Sequence, residues 1–169
     1  MKKTKKMNRV DKRIARSLSL QIYYAWLMSD IHPKEILGYV KSLLIDKEIN
    51  DNFYMNGSVI NNENLILSDD MINYSYKLVE TTINKCEIID KHITLKLKNW
   101  DLKRIALIDK SILRLSLTEM FFFDDIPHKV SIVEGVEIAK IYGNDESSAF
   151  INGVLDSLYN DLKNNKIKL

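Results

Sequence analysis

Eight of the first sixteen residues are basic: Lys2, Lys3, Lys5, Lys6, Arg9, Lys12, Arg13 and Arg16 stand against Asp11 alone. This stretch therefore carries about +7, which leaves about −5 for the rest of a chain whose formal net charge is +2. Clustered lysine and arginine bind a nucleic-acid backbone by releasing its counterions, so the segment is a candidate phosphate-binding element. A solvated flexible arm over residues 1–8 accounts for the same composition. From Asn8 onward the pattern is helical: Val10, Ile14, Leu18, Ile22 and Ala25 share one stripe, and Arg9, Arg13 and Arg16 share another. One helix would thus carry a core face and a basic face.

Other chemistries lack their residues. Cys86 is the single cysteine, which excludes an intramolecular disulfide or a multi-cysteine zinc site and fits a reducing compartment. His32, His92 and His128 do not stand at metal-ligand spacing from one another, so no metal is expected. The chain contains no glycine-rich phosphate loop, nucleophile elbow or His-Glu-x-x-His motif, and no cofactor is expected. Asp124-Asp125 looks like a polar helix stop rather than a catalytic dyad. The pattern favours binding over catalysis.

The elements that must position these residues are helices. Only five glycines and two prolines occur in 169 residues, and apolar side chains recur at helical rather than alternating spacing, which predicts an all-α protein of one domain. After the basic helix, Pro33 suits the first turn of a second helix reaching Leu44. Asp46 to Asn64 is rich in asparagine and is expected to be a surface loop. Ser68 or Asp69 would cap a long third helix running to about Leu97. Trp100 to Phe123 is the most apolar stretch and should be the central helix, with Lys103, Lys110 and Arg114 on its narrow charged stripe. A further helix leads from Ile126-Pro127 to a cap at Gly143, and the last begins near Asp145. The amino terminus has no small-x-small cleavage site after its apolar run, and no segment reaches the roughly 20 apolar residues of a membrane span. A cytoplasmic protein with no membrane association is expected.

Two segments resemble the NusB family. The first is Lys12-Arg13-Ile14-Ala15-Arg16 followed by Gln21, Tyr24 and Trp26. The second is longer: Asp109-Lys-Ser-Ile-Leu-Arg-Leu-Ser-Leu-Thr-Glu-Met120, Asp125-Ile-Pro-His-Lys-Val130, Glu134, Glu137-Ile-Ala-Lys140, Gly143 and Phe150-Ile-Asn-Gly-Val-Leu-Asp156, in family order and near family spacing. Val133 stands where asparagine is usual, Gly135 where alanine is usual, and Ala149 where a basic residue is common. The resemblance implies a bundle of about seven helices in two packed halves, here one domain over residues 9–169 with an inserted polar loop at about 46–64. It also implies a monomer or weak homodimer that pairs with the ribosomal protein NusE, binds single-stranded boxA-type RNA of ribosomal RNA leaders, and joins the RNA polymerase antitermination complex to suppress premature termination.

Carried onto this chain, the resemblance makes Lys12, Arg13 and Arg16 phosphate contacts, with a solvated basic face as the plain alternative. Lys129, in Asp-Ile-Pro-x-Lys, is a further contact or an ordinary surface lysine. Phe150, at the start of the last helix, would stack on an unpaired base, although its i, i+4, i+8 spacing with Val154 and Leu158 equally fits a core residue. Ser147 and Asn152 offer hydrogen bonds to bases or sugars. Tyr24 and Asp109 match positions facing the ribosomal partner; otherwise Tyr24 is half-buried and Asp109 pairs with a lysine on its own helix. Two other functions compete. One is an RNA-binding module like that of ribosomal RNA cytosine methyltransferases, whose catalytic half would be missing. The other is a protein-binding adaptor that does not touch RNA.

Overall fold

The computed structural model describes residues 7–29, 31–45, 53–55, 58–60, 67–97 and 102–167. The chain divides into two compact units, Met1–Lys77 and Leu78–Leu169. Seven α-helices carry the described architecture, as the helical periodicity predicts.

The first unit opens with α1 (Arg9–Ser29), which packs on α2 (Pro33–Ile45). A reciprocal cap starts α1. Asn8 Oδ1 accepts the backbone N–H groups of Val10 and Asp11 at 2.8 and 3.0 Å, and Asp11 Oδ2 accepts that of Asn8 at 2.9 Å. Pro33 occupies the first position of α2, where its missing N–H is no loss. The segment read as a loop over 46–64 contains structure: β1 (Phe53–Met55) and β2 (Ser58–Ile60) pair antiparallel with Tyr54 opposite Val59. A three-residue strand is too short to show alternation, and this hairpin escaped the periodicity argument. The rest of the segment, like residues 1–6 of the basic arm, lies outside the described residues. α3 (Asp69–Asn84) begins in this unit, with Ser68 Oγ accepting the Met71 N–H at 3.3 Å as the cap. Small residues let α1 and α3 approach closely, for Ser75 Oγ lies 2.8 Å from the Ala15 carbonyl oxygen.

The second unit holds the end of α3, then α4 (Cys86–Lys96), α5 (Leu107–Phe122), α6 (His128–Tyr142) and α7 (Ser147–Lys163). The single long helix expected from Ser68 to Leu97 is broken at Lys85, whose φ of −109° and ψ of 8° leave the α region. No glycine or proline marks the break. α5 is the central helix, as its apolar content predicts: twelve of its residues are buried and it packs on α4, α6 and α7. It starts later than expected, since a 3₁₀ turn at Leu102–Arg104 and an extended Ala106 precede it. Trp100 lies outside the described residues. Gly135 of α6 faces Ser116 of α5 so closely that an added Cβ would sit 2.5 Å from the serine Oγ. None of the described helices is long and apolar enough to cross a membrane.

Candidate nucleic-acid interface

In the first unit the basic residues of α1 divide by depth. Arg9 is exposed at the helix start, and Lys12 and Arg13 are half-buried. Lys12 Nζ lies 5.9 Å from the centroid of the Tyr74 ring, a cation–π contact that fixes the stem while the ammonium stays near solvent. Arg16 departs from the expectation. It is 5% exposed, because residues from Ile14 to Leu20 are buried on every face of the helix. A two-face pattern cannot reveal a helix covered all round, so Arg16 is corrected from a surface contact to an interior residue. Arg9 takes its place in the exposed basic set. Tyr24 is half-buried on the same helix.

In the second unit four elements meet around a pocket of about 390 Å³ lined by Arg104, Ile105, Ala106, Asp109, Asn144, Glu146, Ser147 and Phe150. Arg104 ends the 3₁₀ turn, Asp109 lies in the first turn of α5, and Ser147 and Phe150 lie in the first turn of α7. The α7 entry is built by a clasp. Asn144 Oδ1 accepts the backbone N–H groups of Glu146 and Ser147 at 3.0 Å each, and the Asn144 N–H donates to Ser147 Oγ at 2.9 Å. The clasp requires Gly143, where a Cβ would lie 2.4 Å from that of Ser147. Ser147 is 1% exposed and committed to this cap, so it is corrected from an RNA contact to a structural residue. Phe150 is half-buried in the pocket wall, while Ile151, Val154, Leu155 and Leu158 form the buried face of α7; the core alternative for Phe150 does not hold.

The sequence therefore named Asp109, Ser147 and Phe150 separately, and the fold brings them to one pocket. Asn152 is exposed on α7, with its Nδ2 donating to Asp156 at 3.2 Å, and does not line the pocket. Lys129 is exposed in the first turn of α6 and likewise lies outside it. Arg104 was not singled out as a site residue. The Lys103-Arg104 pair before a helix start was the available signal, hidden by reading the whole stretch as one helix. Among the described residues no cluster of three histidine, cysteine or carboxylate side chains can hold a metal.

The NusB family model matches residues 13–160, nearly the whole chain. The chain belongs to the NusB family. Among its relatives, the transcription antitermination protein NusB of Bacillus licheniformis is 38% identical over 90% of this chain and 98% of its own length. That of Clostridium tetani is 33% identical over 85% and 94%. The Chloroherpeton thalassium NusB is 34% identical over 91% of this chain, which spans 64% of that longer protein. Solved NusB structures share the fold: the T. maritima protein gives a TM-score of 0.67 at 24% identity, covering 87% of this chain and 89% of its own. A structure of NusB and NusE in complex with double-stranded RNA gives 0.66 at 23% identity, covering 90% and 98%. The first turns of α1 and α7, which hold the basic residues and Phe150, thus lie in elements of a NusB fold.

Proposed function

We propose that this chain is an RNA-binding transcription antitermination factor that pairs with the ribosomal protein NusE and binds boxA-type single-stranded RNA. The observation that carries this reading is the 38% identity along nearly the full length of a relative named a transcription antitermination protein. Geometry supports it. Arg9, Lys12 and Arg13 supply phosphate partners at the start of α1, Lys129 adds a cation on α6, and Phe150 offers a half-exposed ring for stacking, with Asn152 as a hydrogen-bonding neighbour on α7. Tyr24 belongs to the NusE-facing surface in this reading, since a half-buried tyrosine keeps its ring packed and its hydroxyl available. The RNA-bound pair joins the polymerase antitermination complex in the cytoplasm, the chain acting as a monomer or weak homodimer without enzymatic activity of its own.

Titration of a labelled boxA-type oligonucleotide, with and without NusE, tests the reading. Affinity should rise with the partner and fall steeply with salt. Changing Arg9, Lys12 and Arg13 together to alanine should weaken every RNA by about tenfold or more and flatten the salt dependence. Phe150→Ala should weaken boxA more than a scrambled sequence. Unchanged affinity in the folded triple variant would show that α1 does not bind RNA.

A further inference from the structure

Within the first unit, the ammonium of Lys12 is held from a second helix. Its Nζ lies 5.9 Å from the centroid of the Tyr74 ring, and Tyr74, on α3, is 8% exposed. An aromatic face attracts an ammonium through the ring quadrupole, so it holds the group without cancelling its charge as a carboxylate partner would. Both sides of the contact are fixed by the backbone. Beside the ring, Ser75 Oγ lies 2.8 Å from both the Ala15 and the Met71 carbonyl oxygens, and Ser19 Oγ lies 3.4 Å from the Ser75 carbonyl oxygen. Ala15 is three residues after Lys12, so this anchor joins the two helices one turn from the cation and on its face of α1. On the other side, the Asn8–Asp11 cap opens α1, and the Lys12 N–H donates to the Asn8 carbonyl oxygen at 3.1 Å, which closes the turn that bears Lys12. A lysine ordinarily gives up much side-chain freedom when it meets a phosphate. Here the ring confines the stem beforehand, and a contact ordered in advance binds more tightly for the same charge.

We infer that Tyr74 is a positioning residue of the RNA-binding surface: its ring presets the Lys12 ammonium for a backbone phosphate and does not itself touch the RNA. The inference rests on the RNA-binding function proposed above and adds a residue of α3 to the machinery of α1. It separates two ways of losing affinity. Removing Lys12 removes a phosphate contact, and with it a share of the salt dependence, since each neutralised phosphate of a single strand contributes about 0.7 to the slope of log affinity against log salt. Removing the ring leaves the contact in place and takes away its order, so affinity falls while the slope stays.

Fluorescence anisotropy with a labelled boxA-type oligonucleotide, measured across a range of salt concentrations on the full chain, tests it. Tyr74→Leu removes the ring and should weaken binding about threefold, the worth of a cation–π contact near solvent. Tyr74→Phe keeps the ring face and should restore the parent affinity. Replacing Tyr74 by pentafluorophenylalanine keeps the shape should the leucine variant unfold; its ring quadrupole is reversed, so it should weaken binding at least as much as leucine does. Lys12→Ala should lower both the affinity and the salt slope, the latter by about 0.7. Added to Lys12→Ala, either ring change should cost nothing further. Equal affinity of the phenylalanine and pentafluorophenylalanine variants overturns the inference while the RNA-binding function stands. So does a ring effect that persists in the Lys12→Ala background, because Tyr74 would then act through the fold and not through the cation. A ring variant whose salt slope falls with its affinity also overturns it, since a phosphate contact and not its order would have been lost. If the parent chain does not bind the oligonucleotide, with or without NusE, the RNA-binding function fails and the inference falls with it.

Discussion

At the scale of single residues, charged groups behave in this fold according to partners that arrive from far along the chain. Arg114 reads as a member of a solvent-facing stripe, yet it is 9% exposed and forms a fork with Asp90, Nε to Oδ1 at 2.8 Å and Nη2 to Oδ2 at 2.6 Å. Nothing local in the sequence pairs a residue of α5 with one of α4. His92 shows the same dependence on tertiary context. Its ring meets that of Phe121 edge-on at 5.7 Å, and burial, with Lys91 alongside, holds its pKa below the usual imidazole value. The folded state therefore resists a proton that the unfolded chain accepts. His92 thus leaves stability at its full value above about pH 6.5 and lowers it as the pH falls through and below that point. Thermal melts between about pH 7.5 and about pH 5 should show a smaller acid loss for His92→Gln than for the parent. Equal slopes for the two would mean that His92 does not contribute to the acid sensitivity.

Among the elements, the helices were legible wherever one face is apolar, and the errors fall where periodicity carries no information. The turn at Lys85 interrupts a helix whose apolar spacing continues on both sides, from Leu78 and Val79 to Ile89 and Ile93, all buried. The middle of α1 is covered all round, so its pattern could not tell Arg13 from Arg16. The pocket was legible only as separate residues, because its walls come from two stretches far apart in the sequence, 104–109 and 144–150. Gly135 is an instructive case of local and tertiary preference in conflict. In an open helix, replacing glycine with alanine gains about 1 kcal/mol. Here the new methyl would meet Ser116 Oγ at 2.5 Å and Leu155 Cδ1 at 3.2 Å, and overpacking costs about 1 to 3 kcal/mol. Gly135→Ala should therefore destabilise the fold by about 1 kcal/mol in urea titrations, the balance of the two effects. Combined with Ser116→Ala it should recover most of that loss. A stabilised single variant would show that the α5–α6 contact yields freely.

For the molecule as a whole, the family model covers residues 13–160 and so includes the segment between α2 and α3, where the described hairpin pairs just three residues with three. Two short strands are marginal on their own. Closure entropy changes slowly with loop length, so replacing residues 46–64 by a short glycine-serine linker should cost less than about 2 kcal/mol. Equilibrium unfolding of the deletion variant measures this, and a larger loss would show that the hairpin packs on the body. RNA affinity of the same variant should match the parent, since none of the proposed RNA-binding residues lies in that segment.

The clasp at the start of α7 has a consequence for how quickly a ligand is captured. Amides that open a helix are ordinarily left to solvent, but Asn144 Oδ1 holds those of Glu146 and Ser147, and the Asn144 N–H is held in turn by Ser147 Oγ. The wall bearing Phe150 is thus assembled before anything binds. In the RNA-binding role proposed above, a nucleotide arriving there would meet a finished surface and would not wait for a loop to order, so the encounter would be governed by diffusion and charge, and differences between ligands would appear in how long each one stays.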